Sequence, residues 1–225
     1  MKVIVTGSTG MVGKGVLMEC IDSDAVTSIV LVNRTPLGVC HKKIHEVICK
    51  DWSDLSKIKP HLRQAQACYF CMGATATTLR KAEFHHVTYD LTLAFAKLFA
   101  HCNPNAVFCY VSGMGVGKNP SSNLMWLRIK GKTEQALLQL PCKAVYLFRP
   151  GYIQPMRGVH SKTALYRLFY TVFGPFYPLF KRLFPSYVTS TVQIGRAMIS
   201  VTHSGYDCRF LENSDINKAA SEIGH

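Results

Sequence analysis

Three glycines at three-residue steps stand near the start of this 225-residue chain, in the run Gly7-Ser8-Thr9-Gly10-Met11-Val12-Gly13. The first glycine permits a tight turn, the second lets backbone approach a pyrophosphate, and the third lets a helix pack closely on a strand. The N–H groups and the dipole at the start of such a helix attract phosphate. The run from Gly7 to Gly13 therefore predicts a dinucleotide site.

A cation stands at the end of the second predicted strand, where Asn33 and Arg34 follow Val32. No Asp or Glu occurs between Ala25 and His45 to bond a ribose 2′-hydroxyl. A guanidinium can instead pair with a 2′-phosphate through two N–H groups and stack on adenine. We therefore predict NADP(H) rather than NAD(H), the alternative being that Arg34 is an exposed loop residue.

Two later strands end in residues that suit the same edge of a sheet. Gly73 and Ala74 follow the fourth strand, and such small residues let ribose and phosphates lie across the edge where open α/β sheets bind ligands. A plain tight turn would explain them equally. Ser112 ends the fifth strand, where its hydroxyl would bond a substrate carbonyl, and Lys130 follows within a predicted helix.

Apolar runs of strand length alternate with helical stretches along most of the chain. The predicted strands are Lys2–Thr6, Ser28–Val32, Lys43–Ile48, Ala67–Met72, Ala106–Ser112 and Lys143–Arg149. The predicted helices are Met11–Ile21, Ser53–Lys59, Phe84–His101, Leu124–Leu140 and Val188–Val201. The strands are continuously apolar, as expected for parallel strands buried on both faces. This alternation predicts a doubly wound parallel sheet, the Rossmann fold.

The pattern changes beyond the predicted core, residues 1–155, although we expect residues 1–225 to form one domain. Residues 156–225 are predicted to be a small helical segment on the substrate side, ending in a polar, loosely held tail from Glu212. Within it, Ala164–Phe184 is aromatic and cationic, and its uncharged part falls short of the about 20 residues of a bilayer span. It would cover a substrate cleft, lie on an anionic membrane, or form two short helices against the sheet.

Charge and cysteine content indicate which classes of partner and which cellular compartment suit this protein. Lys and Arg exceed Asp and Glu by 26 to 13, which suits an anionic partner, a phosphorylated cofactor or merely a solvated surface. The basic residues are dispersed and form no block like a nucleic-acid-binding arm, which argues against a nucleic-acid partner. The nine cysteines and the start of the chain, which lacks a signal-peptide pattern, predict reduced thiols and a cytoplasmic protein, the alternative being a peripheral membrane protein. Cys68 and Cys71 lie three apart on a strand, so they would face opposite sides and hold no metal.

Several motifs together resemble the short-chain dehydrogenase/reductase superfamily, and within it the atypical NAD(P)-binding proteins of the Tat-interacting protein family. The resemblance covers about the first 155 residues and is carried by the glycine turn, Val32-Asn33-Arg34, Tyr110-Val111-Ser112, Lys130-Gly131-Lys132 and Phe148-Arg149-Pro150-Gly151-Tyr152. It implies that Ser112 orients a substrate and that Lys130 holds the nicotinamide ribose.

The resemblance also implies a tyrosine as general acid four residues before the lysine, and this chain has Trp126 there. An indole N–H is a donor that does not titrate usefully, so Trp126 cannot protonate a carbonyl. Tyr152 is the leading substitute, followed by Tyr89 and His86; the alternatives are that Tyr152 is a pocket wall and His86 an exposed helix residue.

Two functions follow from these residues. One is an NADP(H)-dependent oxidoreductase acting on a small or apolar carbonyl, with Ser112, Lys130 and Tyr152 as catalytic residues. The other is a catalytically impaired NADP(H)-sensing protein that regulates a partner, either free in solution or at a membrane surface. A homodimer is compatible with both.

Overall fold

A seven-stranded parallel sheet forms the centre of the protein in a computed structural model that describes residues 1–74, 79–118, 122–160 and 177–222. The strands are β1 Lys2–Thr6, β2 Ser28–Asn33, β3 Ile44–Ile48, β4 Ala67–Phe70, β5 Val107–Val111, β6 Ala144–Phe148, β7 Tyr152–Gln154, β8 Val188–Ser190 and β9 Phe210–Leu211. The order is β3-β2-β1-β4-β5-β6-β9, and β7 pairs with β8 in a separate parallel ribbon. The predicted Rossmann fold is confirmed.

Helices cover both faces of this sheet. They are α1 Met11–Asp22, α2 Lys59–Leu62, α3 Lys81–His85, a π-helix His86–Leu91, α4 Thr92–Cys102, α5 Met125–Leu137, α6 Tyr177–Leu183, α7 Thr191–Ser204 and α8 Asn213–Ser221. Successive strand residues point to opposite faces, so Val3 and Val5 join one hydrophobic cluster and Ile4 joins the other. Cys68 and Cys71 are likewise divided between the two clusters, as predicted.

Three predicted elements differ from the structure. Ser53–Lys59 is not a helix, because the carboxylates of Asp51 and Asp54 accept backbone N–H bonds from Ser53 and Ser56 and hold turns instead. The predicted Phe84–His101 helix starts earlier, at Lys81, and contains the π-helix. The predicted Val188–Val201 helix begins as strand β8, and its helix starts only at Thr191, after Ser190 accepts a bond from the Gln193 N–H.

The C-terminal tail is ordered, so the expectation of a loosely held tail from Glu212 is wrong for the described residues. Strand β9 pairs with β6, and α8 then buries Ile216 and Ala219. The Asp215 carboxylate accepts the Glu212 N–H at 3.1 Å and caps the start of this helix. Apolar residues at helical spacing thus pack on the sheet although the tail is polar on average.

A buried ion pair connects α5 to the end of the sheet formed by β6 and β9. The guanidinium of Arg149, just after β6, donates to both carboxylate oxygens of Glu134 on α5, at 3.0 and 2.6 Å. The same guanidinium lies 4.2 Å from the centre of the Phe210 ring and 3.7 Å from a Glu212 oxygen. Arg149 therefore joins α5, β6 and β9 at one point.

Removing one partner of this pair should destabilise the fold strongly. We expect Glu134→Ala to lower the free energy of unfolding by about 3–5 kcal/mol, because the charge of Arg149 stays buried and keeps only the longer contact, 3.7 Å, with Glu212. The control is Asp22→Ala, which removes an exposed partner of Arg157 and should cost about 1 kcal/mol or less. Urea denaturation measures both; equal losses would contradict the importance of the buried pair.

Candidate functional site

The turn between β1 and α1 accepts only glycine at two of its positions. Gly7 has a φ of +67°, and a Cβ there would lie 2.6 Å from the carbonyl carbon of Cys71. A Cβ on Gly13 would lie 2.3 Å from the carbonyl oxygen of Gly7. The Gly10 N–H donates to that same oxygen at 2.9 Å. Backbone therefore packs directly on backbone, in the geometry that the glycine spacing predicts.

The amino end of α1 is open to an anion. Its N-cap residue, Gly10, has no side chain to cap the helix, and the first turn of α1 contains no acid. The N–H groups in the first turn of a helix have no partner within the helix, and the helix dipole is positive there. Met11 and Val12 thus contribute through their backbone, not their side chains, if a phosphate binds here.

A cleft runs along the carboxyl edge of the sheet in front of this helix. Its inner part is a cavity of about 420 Å³ lined by Gly7, Thr9, Gly10, Asn33, Arg34 and Gly73, among others. Its outer part, about 370 Å³, is lined by Lys50, Ala74, Val87 and Leu91. Arg34, Trp52, Met72 and Gly73 line both parts. The ends of β1, β2 and β4 thus come together as the sequence predicts.

The side chains of Ser8 and Asn33 form hydrogen bonds that hold the walls of the cleft in place. The buried Ser8 hydroxyl donates to the Asn33 amide oxygen at 2.9 Å, and the Asn33 NH₂ donates to Glu46 on β3 at 2.7 Å. The same Glu46 oxygen accepts the Leu37 N–H at 2.9 Å. These bonds hold the glycine turn to β2 and β3 and fix the loop that carries Arg34. Ser8, Met11, Val12 and Gly13 line neither part of the cleft.

Lys50 and Trp52 are cleft residues that the sequence analysis missed. Trp52 is only 4% exposed; its ring centre lies 5.4 Å from that of Phe95, and its indole N–H has no partner among the described residues. Both residues follow β3, which lies beside β2 in the sheet. The signal available in the sequence was a cation and an aromatic residue directly after a third parallel strand.

Ser112, Trp126 and Lys130 lie together at the end of β5. The Lys130 ammonium donates to the backbone oxygens of Ser112 and Val111, at 2.9 and 3.4 Å. The Ser112 hydroxyl is buried and has no partner in the described part of the chain. The Trp126 ring lies beside Gly113, where a Cβ would be 3.5 Å from it. Helix α5 therefore brings the predicted lysine and its unusual tryptophan to the predicted serine.

Burial perturbs the lysine of this group. Loss of solvent lowers the pKa of Lys130 to about 8, and the negative charge of Glu134, one turn further along α5, offsets part of that shift. The Lys130 ammonium also lies 5.9 Å from the centre of the Tyr110 ring. Lys130 thus titrates far closer to neutral pH than a lysine in water.

The three candidate proton donors occupy different surroundings. The Tyr152 hydroxyl, on β7, donates to the Gln154 side chain at 2.5 Å, and burial followed by the nearby Tyr177 raises its pKa. His86 is exposed and its ring nitrogen lies 3.2 Å from Asp90. The Tyr89 ring lies between His85 and Lys132. The role of Tyr152 stays a prediction, and the contacts of His86 are those of a surface helix residue.

The aromatic segment Ala164–Phe184 falls largely outside the described residues, since 161–176 are not among them. Its described end is α6, on which Leu179 and Leu183 are exposed, as is the following Phe184. Among the helices that the structure describes, none has the length and apolar character of a membrane span.

Comparison with known proteins supports the resemblance seen in the motifs. No protein-family profile matches the chain. Protein FMP52, mitochondrial, of Candida albicans is 29% identical over 160 residues, 67% of this chain and 66% of that protein. Protein HTATIP2 of Rattus norvegicus is 25% identical over 154 residues, 67% of this chain and 62% of that protein. The match thus spans slightly less than two thirds of each of these two relatives, and the chain resembles the atypical short-chain dehydrogenase/reductases.

Solved structures agree with this fold. A short chain dehydrogenase from Burkholderia cenocepacia in complex with NADP has a TM-score of 0.66 and 15% identity, covering 99% of this chain and 90% of its own. MoeE5 in complex with UDP-glucuronic acid and NAD has a TM-score of 0.68 and 14% identity, covering 99% and 82%. The protein therefore has the Rossmann fold of NAD(P)-binding short-chain dehydrogenases.

The expectation of a cytoplasmic protein is wrong. The relatives of this chain from the fungi Candida albicans, Candida glabrata and Debaryomyces hansenii are all named as mitochondrial proteins. Cysteine content indicates whether thiols stay reduced and not which compartment holds the protein, so it could not separate the cytoplasm from a mitochondrion.

The lowered pKa of Lys130 predicts a stability that depends on pH. The unfolded chain holds the proton of this lysine up to about pH 10.4, whereas the folded protein releases it from about pH 8. At this lysine the unfolded state therefore binds more protons in that window, so the contribution of Lys130 to the free energy of unfolding should rise with pH there. Urea denaturation at several pH values should give a more positive pH slope for the native protein than for Lys130→Met; the comparison isolates this lysine from buried cysteines such as Cys20 and Cys68, whose raised pKa values act in the opposite direction. Identical pH slopes would contradict the lowered pKa.

Proposed function

We propose that this protein binds NADP(H) in the cleft along β1, β2 and β4 and acts as an oxidoreductase on a small or apolar carbonyl compound. The observation that carries the proposal is the position of Arg34. Its exposed guanidinium follows β2 directly, lines both parts of the cleft, and pairs with no acid among the described residues. A free guanidinium at this edge suits a 2′-phosphate, which NAD(H) lacks.

The glycine turn fits a dinucleotide at the other end of the same cleft. A Cβ at Gly7 or Gly13 would collide with backbone, so the turn stays narrow and the amino end of α1 faces the inner cavity through Gly10. Two structures of the same fold support this cofactor class, since one is a complex with NADP and the other a complex with NAD.

The group at the end of β5 would meet the carbonyl substrate. Bound NADPH would supply a hydride to the carbonyl carbon, and the chain itself must then hold the oxygen and give it a proton. The Ser112 hydroxyl, which lacks a partner among the described residues, would donate a hydrogen bond to that oxygen. Lys130 would hold the ribose with its ammonium, and Tyr152 would be the proton donor because Trp126 cannot be.

A second function is favoured by the same group of residues. Trp126 stands where the resembling family has its proton donor, and the Lys130 ammonium is already bonded to backbone oxygens of Val111 and Ser112. A site arranged in this way binds a cofactor without completing carbonyl reduction. The protein would then report the NADP(H) level to a partner.

We also propose a cellular location for this activity. The names of the fungal relatives suggest a mitochondrial location for this protein. The small-molecule substrate, a homodimer and contact of the C-terminal segment with an anionic membrane stay predictions.

Replacing Arg34 should remove the preference between the two cofactors. We expect Arg34→Ala to weaken NADPH binding about 10- to 100-fold, the effect of losing one charged partner of the 2′-phosphate, and to leave NADH binding nearly unchanged. Calorimetric titration with each cofactor measures both dissociation constants. The matched control is Lys42→Ala, an exposed cation on the same β2–β3 connection that lines neither part of the cleft. Equal affinity of the native protein for NADPH and NADH would overturn the role of Arg34.

Restoring a tyrosine at position 126 should separate the two functions. If the native protein is the sensor, we expect Trp126→Tyr to raise carbonyl-dependent NADPH oxidation about 10²- to 10⁴-fold, the contribution of a positioned general acid. If Tyr152 already donates the proton, the gain should be small. Trp126→Phe, which changes the ring without adding a hydroxyl, should give no such gain. The measurement is loss of NADPH absorbance against a panel of aldehydes and ketones.

The native protein decides between the functions in the same assay. Turnover that Tyr152→Phe abolishes supports the oxidoreductase with Tyr152 as proton donor. Tight NADPH binding without turnover of any carbonyl supports the sensing function instead.

A further inference from the structure

Lys50 follows strand β3 and lies beside Arg34 in the cleft. Strands β2 and β3 are parallel and in register, with Asn33 paired to Ile48, and the Cys49 N–H donates to the Asn33 oxygen at 2.8 Å. Arg34 comes one residue after Asn33 and Lys50 two residues after Ile48, so the two cations leave adjacent strands within one residue of the same level. Both line the outer part of the cleft.

No acid in the described structure neutralises this pair of cations. Arg34 and Lys50 are exposed, and neither has an ion pair or hydrogen bond within the described ranges. Glu46 already accepts bonds from Asn33 and Leu37, and the Asp51 carboxylate accepts both the N–H and the hydroxyl of Ser53. Neither carboxylate lines the cleft.

The chemistry of a phosphate monoester explains why two cations would face one site. Its second pKa is about 6, so at neutral pH it carries nearly two charges on three acceptor oxygens. A guanidinium bonds two of these oxygens in its plane, and a flexible ammonium reaches the third as a point charge. A 2′-hydroxyl has no charge and needs neither group.

We propose that Lys50 is a second specificity-determining residue, which acts with Arg34 to hold the 2′-phosphate of NADP(H). This inference rests on the proposed NADP(H) site and adds a residue that neither the glycine turn nor the end of β2 would indicate. The apolar walls of the outer cleft, Trp52, Val87 and Leu91, leave Arg34 and Lys50 as the charged residues of its described lining.

Titration of Lys50→Ala with NADPH and NADH tests the proposal. We expect NADPH to bind about tenfold more weakly and NADH to change less than about twofold, because only the charge-assisted bond to the 2′-phosphate is lost. Adenosine 2′,5′-bisphosphate and 5′-AMP should show the same contrast without the nicotinamide half. Lys50→Arg should retain most of the preference. Since the Lys50 side chain is exposed, its removal leaves the core intact.

Combining the substitutions shows whether both cations hold the same phosphate. In Arg34→Ala/Lys50→Ala the two losses should not simply add, since groups that bind one phosphate are coupled. Lys42→Ala is again the control and should change neither affinity. If Lys50→Ala weakens NADPH and NADH equally, or neither, while the native protein prefers NADPH, the role of Lys50 is overturned and the proposed function stands. If the native protein binds neither cofactor, the proposed function itself fails.

Discussion

The contact of backbone with backbone at the first turn is the constraint on which the functional edge of this protein depends. Gly7 lies against the end of β4, and Gly13 lies against Gly7, with no room for a Cβ at either place. This closeness brings the amino end of α1 to the sheet and opens a cleft in front of β1, β2 and β4. A side chain at Gly7 would push β1 and β4 apart where a ligand must bind.

Two sets of buried polar groups hold the elements on either side of this turn in place. The chain of bonds from Ser8 through Asn33 to Glu46 ties the glycine turn to β2 and β3 and fixes the loops that carry the cations. On the other side, the buried pair of Arg149 and Glu134 holds α5 against the sheet. Glu134 lies one turn after Lys130, so the same pair positions the lysine near Ser112. Buried polar groups thus place both ends of the candidate site.

Much of this arrangement was predictable from local patterns. The glycine spacing and the apolar strands predicted the Rossmann fold because their signals are short-range and periodic. Ser112 and Lys130 were also predicted, and the structure brings them together. The cleft residues Lys50 and Trp52 were missed, because their relevance comes from the position of β3 beside β2. Ser53–Lys59 was predicted to be a helix, but hydrogen bonds to the side chains of Asp51 and Asp54 hold turns there. The tail was predicted to be loosely held because it is polar on average, but its apolar residues pack on the sheet.

The sequence by itself determined the fold class, the glycine turn, the cation after β2 and the tryptophan four residues before Lys130. Each of these depends on residue type and spacing along the chain, which folding does not alter. Only the tertiary structure decided that Ser8 and Asn33 bond each other, that burial lowers the pKa of Lys130, and that Lys50 stands beside Arg34. These properties depend on neighbours distant in sequence and on loss of solvent, both of which arise when the strands assemble.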